Sequence, residues 1–229
     1  MTTVYIISAP SGSGKSTLVN EIRHLVEGLY FSISYTTRLP RGSEQNGREY
    51  YFVSRSAFED MVQKDEFLEY ADVFGNYYGT ARRFQREAEQ TGQDLLLDID
   101  VQGAAQIKRK IPQAVSIFIL PPDRNTLERR LRTRSLDAEE VMQRRLVTAT
   151  REIENYAKYD YILVNDRLEE SVEALKSVLL AERLRRSGAQ RTADDTEMLA
   201  MAERCRLNSV RERLQPILAS FVPAVPGGR

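Results

Sequence analysis

The spacing of apolar residues changes abruptly near the start of the chain. Residues 4–7, Val-Tyr-Ile-Ile, form a continuous β-branched and aromatic run, which predicts a buried strand. After Lys15 the apolar residues recur at intervals of three and four, which predicts a helix with one apolar face. These helix positions are Leu18, Val19, Ile22, Leu25 and Val26. The chain therefore begins with a strand and a helix joined by a short polar loop.

Further along the chain, short apolar runs alternate with helical periods. The leucine run at 95–97 and the AVSIFIL run at 114–120 are continuous, as expected for parallel strands covered on both faces. A last strand is predicted at 159–166. Helices are predicted over 84–92, 102–110 and 168–186, the first of them ending at a glycine.

The stretch from residue 29 to residue 80 has a different pattern. Residues 30–38, YFSISYTTR, alternate in the manner of one strand, and a turn-rich loop leads from there to another strand. A short helix capped by Ser54 or Ser56 is predicted next, followed by a strand that begins near Phe67. These features predict a β-rich insert, crowded with arginines and tyrosines.

The chain from residue 187 onward is first polar and then amphipathic. Residues 188–196 are predicted to be a linker, 197–218 a single helix and 223–229 a disordered end. An apolar stripe on a terminal helix indicates docking either onto its own domain or onto a second subunit, which would make a homo-oligomer. Because every candidate site residue lies upstream, removal of this tail is expected to leave the chemistry intact.

Composition excludes several classes of function. Lys plus Arg equals Asp plus Glu at 33 each, so no overall charge favours nucleic acid or a membrane surface. Cys205 is the single cysteine, so an intrachain disulfide is impossible and a reducing cytoplasm is expected. The single histidine, His24, is interpreted as a surface residue of the first helix, and no Cys/His cluster suggests a zinc site. Neither a signal peptide nor a membrane-spanning apolar run is predicted.

The loop between the first strand and the first helix has the phosphate-loop pattern. Gly12 and Gly14 let successive backbone N–H groups point at a phosphate, and the helix adds the positive end of its dipole. Lys15 can reach the β- and γ-phosphates of a nucleotide, and the Ser16 hydroxyl can ligate Mg²⁺. An ordinary glycine-rich turn is the alternative, but both flanking elements favour nucleotide binding. The predicted ATP-binding residues are Ala9 (in place of the usual leading glycine), Pro10, Ser11, Gly12, Ser13, Gly14, Lys15, Ser16 and Thr17.

Three longer stretches resemble guanylate kinases, in order and at the right separations from the phosphate loop. They are SYTTRLPRGSEQNGREYYFVS at 34–54, EFLEYADVFGNYYGT at 66–80 and LLLDIDVQGAAQIK at 95–108. The resemblance covers about residues 3 to 183. It implies transfer of the γ-phosphoryl group of ATP to GMP, giving ADP and GDP. It also implies an α/β fold in which a P-loop core with a parallel sheet flanked by helices carries an inserted β-rich GMP-binding subdomain and a helical lid.

The resemblance implies a division of the chain into three parts. Residues 1–33 and 81–186 would form the P-loop kinase core, with the lid at about 122–151. Residues 34–80 would form the GMP-binding subdomain. Residues 187–229 would form a C-terminal extension, which the resemblance does not cover.

The resemblance also implies a role for each site residue. The guanine would be surrounded by Ser34, Glu69, Thr80 and Asp100, although family members often have serine in place of Thr80. The GMP phosphate would be held by Arg38, Arg41, Tyr50 and Tyr78, since arginine forks match phosphate oxygens and tyrosine hydroxyls add donors without charge. The catalytic set would be Lys15, Arg38, Arg41 and the two lid arginines, Arg134 and Arg145.

Two carboxylates follow the predicted strand at 95–97, at the edge where ligands bind in open α/β sheets. Either could hold Mg²⁺ through water, because this ion keeps much of its hydration shell. We assign Asp98 to the metal, through water and together with Ser16, and Asp100 to GMP. The alternative is a pair of ordinary polar residues at a strand end.

Other functions remain open at this stage. Guanylate-kinase-like modules of scaffolding proteins bind phosphorylated peptides without catalysis, but they have degraded phosphate loops, whereas this chain keeps Lys15 and Ser16. A kinase for another nucleotide or for a sugar phosphate would differ in the residues facing the acceptor, chiefly Glu69. A GTPase is disfavoured because the sequence has no Asn-Lys-x-Asp motif.

Overall fold

The computed structural model describes residues 2–134, 139–190, 192–193 and 195–222, with the Arg134 side chain outside this description. The strands in these residues are β1 Val4–Ser8, β2 Leu29–Ser32, β3 Tyr35–Thr36, β4 Tyr51–Phe52, β5 Phe67–Val73, β6 Asn76–Ala81, β7 Asp94–Asp98, β8 Val115–Leu120 and β9 Tyr161–Val164. The helices are α1 Lys15–Leu25, α2 Arg55–Gln63, α3 Arg82–Thr91, α4 Val101–Lys110, α5 Arg124–Arg134, α6 Glu139–Ile153, α7 Leu168–Ser187, α8 Asp195–Arg204 and α9 Leu207–Ala219, with a 3-10 turn at Tyr156–Lys158.

The chain forms two compact units. The first consists of Met1–Ser8 and Arg23–Ser116, and the second of Ala9–Ile22 and Ile117–Arg229. The chain passes from one unit to the other after β1, within α1 and within β8. These units follow packing alone, and the division into core, GMP-binding subdomain and extension stays a prediction.

A parallel sheet in the first unit places β7 between β2 and β1. Val4 of β1 lies opposite Leu95, and Leu29 of β2 lies opposite Asp94. The three leucines of β7 are fully buried, as expected for a strand covered on both faces. Asp94 anchors the start of β7, since its Oδ1 accepts a hydrogen bond of 2.8 Å from the backbone N–H of Thr3. Asp98 therefore ends a strand that is fixed along its length.

A second sheet in the same unit has the strand order β4-β3-β6-β5. Its β5–β6 and β3–β6 pairs are antiparallel, and β3 pairs with β4 in parallel. Phe58 of α2 stacks on Phe67 of β5 with ring centroids 4.4 Å apart. A Cβ at Gly79 would lie 2.9 Å from the Phe67 ring, so β6 can approach this aromatic cluster only with glycine there. This packing fixes the neighbouring β6 residues, Tyr78 and Thr80.

The second unit contains most of β8, its parallel partner β9, most of α1 and the helices α5 to α9. Ile117 lies opposite Tyr161, and Leu120 lies opposite Val164. Helix α8 packs along α7, and α9 contacts both α8 and β9. Within the described part of the chain, no helix combines the length and the apolar character that a membrane span requires.

Several predicted elements are confirmed. Helix α2 is capped by Ser54, whose side chain accepts a hydrogen bond from the backbone N–H of Ala57. Helix α3 ends at Gly92, which adopts the left-handed conformation. One predicted core position is wrong, because Leu25 is 50% exposed while the next apolar residue, Val26, is 3% exposed. Leu25 is the last residue of α1 and Val26 lies outside the helix, so helical spacing does not determine which of the two side chains is buried.

The single strand predicted for residues 30–38 is wrong. The structure has two strands there, β2 and β3, and they belong to different sheets. Strand β2 pairs with β7, whereas β3 pairs with β4 and β6. Alternation of apolar and polar residues reports a strand's two faces but not its partners, so it could not reveal the change of sheet.

The single helix predicted for residues 197–218 is also wrong. It is divided into α8 and α9 by a turn at Cys205 and an extended backbone at Arg206. The Cys205 carbonyl accepts a hydrogen bond of 2.8 Å from the backbone N–H of Ile162, and the Leu207 N–H donates to the Asp160 carbonyl at 3.1 Å. These hydrogen bonds to the start of β9 take the place of hydrogen bonds within a helix, so the helix is interrupted here.

The apolar stripe of this tail packs within its own unit. Val210 is 2% exposed and Leu214 is fully buried. The structure therefore supports the first docking option, onto the tail's own domain. A homo-oligomer through this helix stays a prediction, and residues 223–229, predicted to be disordered, lie outside the described residues.

Candidate active site

The loop between β1 and α1 has the backbone that a phosphate cradle requires. Gly12 and Gly14 have φ values of 89° and 88°, which favour glycine. A Cβ at Gly12 would lie 2.9 Å from a Leu131 side-chain carbon, and one at Gly14 would lie 2.3 Å from the amide nitrogen of Asn165. Both positions therefore require glycine for two reasons, the backbone conformation and the close packing of neighbouring side chains.

Asn165 holds this loop in place, a role that was not predicted from the sequence. It is 5% exposed, and its Nδ2 donates a hydrogen bond of 2.7 Å to the Ser13 carbonyl. Its own N–H donates to the Leu120 carbonyl at 2.7 Å, and Arg130 Nη1 donates to its carbonyl at 2.9 Å. Its position directly after β9 could have indicated this role, because ligand-binding loops lie at the carboxyl ends of parallel strands.

The functional side chains of the loop lie at the start of α1. Lys15 is the first residue of the helix, and Ser16 and Thr17 are exposed in its first turn. The Ser13 N–H donates to the Pro10 carbonyl at 3.1 Å, which closes the turn before the glycine. This geometry leaves the helix N-terminus and the two side chains after Lys15 accessible to a polyphosphate.

The two arginines predicted to lie on a lid are placed differently. Arg145 lies on α6, with its Nη2 3.5 Å from the Ser11 hydroxyl of the phosphate loop. Arg134 is the last residue of α5, and its side chain lies outside the described residues, as do residues 135–138 between the two helices. The structure therefore brings one predicted lid arginine to the phosphate loop.

A buried carboxylate lies in the first unit, on β5. Glu69 is 3% exposed, and its Oε1 accepts a hydrogen bond of 2.6 Å from the Thr80 hydroxyl on β6. Burial raises the pKa of Glu69 to about 7, and the negative charge of Asp100 contributes in the same direction, while the Thr80 hydrogen bond opposes them. The Glu69 carboxyl group can therefore exchange a proton near neutral pH.

Asp100 and Gly103 approach Glu69 from the start of α4. Asp100 caps this helix, with Oδ1 accepting a hydrogen bond of 2.8 Å from the Gly103 N–H. A Cβ at Gly103 would lie 2.4 Å from Glu69 Oε2, so only glycine allows the helix and the carboxylate to be this close. Gly103 was missed by sequence reasoning. Of the four predicted guanine residues, Glu69, Thr80 and Asp100 are gathered here.

Ser34 is the fourth of these residues, and its position is fixed through its backbone. Its carbonyl accepts a hydrogen bond of 2.9 Å from the Tyr51 N–H, and the residue is half-buried. It lies directly before β3, whose residue Thr36 is opposite Tyr78 of β6. This register places Ser34 in the same sheet region as the phosphate-binding candidates.

Arg38 is the centre of a polar cluster in the first unit. It is 9% exposed, and its two terminal nitrogens each donate a hydrogen bond of 2.9 Å to the Glu44 carboxylate. Its Nε donates to the Tyr78 hydroxyl at 3.2 Å. The Arg38 guanidinium holds the pKa of Glu44 below its ordinary value. Glu44 was missed by sequence reasoning and keeps the guanidinium in place.

Tyr50 completes this cluster. Its ring is edge-on to that of Tyr78 at 5.8 Å, and the Arg38 guanidinium lies 5.3 Å from its centroid. Burial, and next the charge of Asp98, raise the pKa of Tyr50 to about 12, so its hydroxyl stays a donor at neutral pH. Arg41 is exposed and joins the cluster through its backbone: its N–H donates to the Glu44 carboxylate at 2.7 Å, and its carbonyl accepts from the Glu44 N–H at 3.0 Å.

Asp98 ends β7 and is half-buried. The described residues contain no group of three or more His, Cys, Asp or Glu side chains that could hold a metal ion.

Comparisons with known proteins agree on one family. The family model "Guanylate kinase" matches residues 1–182. A guanylate kinase of Koribacter versatilis is 60% identical over 225 residues, which are 97% of each chain. A guanylate kinase of Escherichia coli K12 is 48% identical over 195 residues, covering 84% of this chain and 94% of the relative. The crystal structure of guanylate kinase from Anaplasma phagocytophilum matches with a TM-score of 0.67 and 34% identity, covering 80% of this chain and 87% of that chain.

Proposed function

The chain belongs to the guanylate kinase family, and from that membership we propose how its residues divide the work of phosphoryl transfer from ATP to GMP. The activity is that of an ATP:GMP phosphotransferase, on a P-loop α/β fold. We assign ATP to the phosphate loop of the second unit. GMP is assigned to the Arg38 and Glu69 groups of the first unit.

The phosphate loop supplies preorganised donors to ATP. Its backbone is held by Gly12, Gly14 and the Asn165 amide, so its N–H groups do not reorganise when a phosphate arrives. Lys15 neutralises charge on the β- and γ-phosphates, and Arg145 adds a second positive charge from α6. Arg134 is assigned the same role from sequence.

Magnesium is proposed to enter as part of the substrate, MgATP. The Ser16 hydroxyl, exposed in the first turn of α1, is the proposed protein ligand. Asp98 is proposed to act through water, because a hydrated Mg²⁺ is recognised mainly by carboxylates that accept from its waters.

The phosphate of GMP is assigned to Arg38, Tyr50, Tyr78 and Arg41. Three of them form the cluster around the buried Arg38 guanidinium, whose charge and planar shape match phosphate oxygens and which Glu44 and Tyr78 hold in place. The fourth, Arg41, is exposed, and we propose that its side chain joins when the phosphate is present.

The guanine is assigned to Glu69, and this residue carries the proposal. Guanine presents two adjacent donors, N1–H and the 2-amino group, which one carboxylate can accept together. A buried Glu69 beside Thr80 and Asp100 has few other partners for its second oxygen, since Gly103 leaves no side chain over it. We propose that Ser34 adds a donor to guanine O6.

Catalysis then consists of positioning and charge neutralisation. Phosphoryl transfer needs no covalent enzyme intermediate, because the charge of the transferring group is spread over its oxygens and is stabilised by fixed cations. Lys15, Arg145 and Arg38 supply those cations here. A closed lid would exclude water, which otherwise accepts the phosphoryl group.

A phosphopeptide-binding module without activity is the second candidate, and the loop geometry argues against it. Both glycines keep the backbone that a phosphate requires, and Lys15 lies at the start of the helix.

We also propose a cytoplasmic location. The single cysteine, Cys205, is buried, and burial raises the pKa of its thiol to about 11, which keeps it protonated.

The pH dependence of GMP use tests the assignment of Glu69. Its pKa of about 7 in the free protein means that the carboxyl group is mostly protonated at pH 6, when one oxygen becomes a donor facing guanine's donors. We expect kcat/KM for GMP at saturating MgATP to rise about tenfold from pH 6 to pH 8. Initial rates across this range measure it.

The second ionisation of the GMP phosphate also falls near pH 6 and needs a control. Glu69→Gln cannot titrate at this position, so its profile should keep only the part that comes from the phosphate. An identical pH slope in the wild type and in Glu69→Gln would show that Glu69 is not the titrating group.

The lid assignment predicts an effect on turnover. Arg145→Ala should lower kcat by about a hundredfold while the KM for GMP changes little, because lid groups engage fully only in the closed ternary state. Arg134→Ala is expected to behave in the same way. The exposed neighbour Arg144 provides the matched control, Arg144→Ala, with wild-type kinetics expected. Wild-type turnover combined with a raised KM for GMP would show that the lid is misassigned.

A further inference from the structure

The C-terminal extension, residues 187–222, is joined to β9 by backbone hydrogen bonds. Strand β9 pairs with β8 on one side. On the other side, Ile162 donates to the Cys205 carbonyl and Leu207 donates to the Asp160 carbonyl, which makes an antiparallel bridge between Tyr161 and Arg206. The extension therefore pairs with backbone groups of a strand edge that would otherwise need water.

A partly buried ion-pair network reinforces this junction. The Glu182 carboxylate on α7 accepts hydrogen bonds from Arg206 at 3.1 Å, from Arg185 at 2.7 Å and from the Tyr161 hydroxyl at 2.5 Å. The Arg206 guanidinium also lies 4.9 Å from the centroid of the Tyr161 ring. Arg206 thus ties the extension to β9 and α7 at once.

The residue that follows the far end of β9 contacts the phosphate loop. Val164 ends the strand, and the next residue, Asn165, donates to the Ser13 carbonyl at 2.7 Å. The same amide nitrogen occupies the space that a Cβ at Gly14 would enter. Any displacement of β9 along its axis would move Asn165 and, with it, the two loop residues that it contacts.

The extension also contacts the helix that packs on the other side of the loop. The Arg124 N–H, at the start of α5, donates to the Ser220 hydroxyl at 3.1 Å. Farther along α5, Leu127 and Leu131 are fully buried and lie 3.0 and 2.9 Å from the position of a Cβ at Gly12. Ser220 therefore helps to fix the helix that limits the space at Gly12.

We propose that the extension positions the phosphate loop for ATP, through Arg206 and β9 on one side and through Ser220 and α5 on the other. The proposal deepens the assignment of ATP to this loop and rests on it. The family match ends at residue 182, so the two residues of the extension that make these contacts, Arg206 and Ser220, lie outside the matched part of the chain. It also changes the expectation, drawn from the sequence, that removal of the tail leaves the chemistry intact.

The physical reason is preorganisation. A phosphate cradle binds tightly when its N–H groups already point inward, and a shift of about 1 Å in such a group is costly. Strand ends and helix starts that lack tertiary partners open locally at low free energy. The extension supplies those partners at two points, so its loss should weaken ATP binding more than GMP binding.

Truncation after Ser187 tests the proposal by binding rather than by turnover. Titration calorimetry with MgATP and, separately, with GMP should give an ATP dissociation constant about tenfold higher than in the full chain. The GMP dissociation constant should stay within about twofold, because the GMP residues belong to the first unit. Circular dichroism and a thermal melt establish that the truncated chain is folded.

Point variants decide the matter if the truncated chain does not fold. Ser220→Ala removes the acceptor for Arg124 and should raise the ATP dissociation constant about threefold, with Ser220→Thr restoring it. Ser209→Ala, at an exposed serine of α9, the helix that Ser220 caps, is the matched control. Arg206→Met should weaken ATP binding as well, whereas Arg204→Met, its exposed neighbour, should not.

Two outcomes would overturn the proposal. One is wild-type affinity for ATP in the folded truncated chain or, if that chain is unfolded, in both point variants. The other is an equal loss of affinity for ATP and GMP, which would indicate general destabilisation. Failure of the full chain to bind MgATP would instead contradict the assignment of ATP to the loop, so the two failures are distinguishable.

Discussion

Lys15→Met should stay folded and lower the rate of GMP-dependent ADP formation by about a hundredfold to a thousandfold, which is the usual loss when one preorganised electrostatic donor is removed. Lys15 begins α1 directly after Gly14, where its ammonium group can follow charge that gathers between the β- and γ-phosphates. Methionine keeps much of the side-chain length and removes only the charge. The effect should therefore fall on kcat.

A coupled ADP-release assay at saturating MgATP and GMP measures this effect. Lys64→Met, at an exposed lysine that follows α2, is the matched control and should retain wild-type kinetics. A thermal melt separates loss of function from loss of fold. Near-normal turnover in folded Lys15→Met would contradict the assignment of ATP to the phosphate loop.

Glu69→Gln should raise the KM for GMP by about a hundredfold, because it removes a charged acceptor and places an amide donor against guanine's donors, at a combined cost of about 3 kcal/mol. The position is buried, and the Thr80 hydroxyl already donates to one carboxylate oxygen at 2.6 Å. A Cβ at Gly103 would lie 2.4 Å from Glu69 Oε2, so the carboxylate fills the space that the glycine leaves and no larger group fits there. The KM for ATP should be almost unchanged.

Steady-state kinetics with each substrate varied in turn gives both constants. Glu66→Gln is the matched control, because Glu66 is exposed and lies only three residues away. If Glu69→Gln raised the KM values for ATP and GMP equally, the residue would be acting through stability and not through the base.

Local chemistry made much of this protein predictable from its sequence. The phosphate loop was identified because glycines, lysine and serine at that spacing have few other uses between a strand and a helix. The leucine run at 95–97 predicted a buried strand, and its three residues are fully buried in β7. Ser54 and Gly92 predicted helix ends through capping chemistry that depends only on nearby residues.

Features that depend on distant contacts were not predicted. Residues 30–38 gave no sign of a change of sheet, because strand partners are chosen by the whole fold. The break at Cys205 and Arg206 arises from hydrogen bonds to β9, about forty residues earlier, and helical periodicity continues across it.

The supporting residues of the site were missed for a similar reason. Glu44 and Asn165 are ordinary polar residues in sequence, and their importance comes from what they hold. Glu44 holds the Arg38 guanidinium, and Asn165 holds the Ser13 carbonyl, 152 positions away. A spacing rule identifies groups that contact a ligand more readily than groups that position them.

Base discrimination tests the central claim most directly. With purified full-length protein and saturating MgATP, initial rates of ADP release are compared for GMP, AMP, CMP and UMP at equal concentrations. Only GMP should support rapid release, with AMP lower by about four orders of magnitude, because adenine offers neither N1–H nor a 2-amino group and leaves a buried carboxylate unpaired. Phosphorylation of AMP or UMP at a rate comparable with that of GMP would contradict the account.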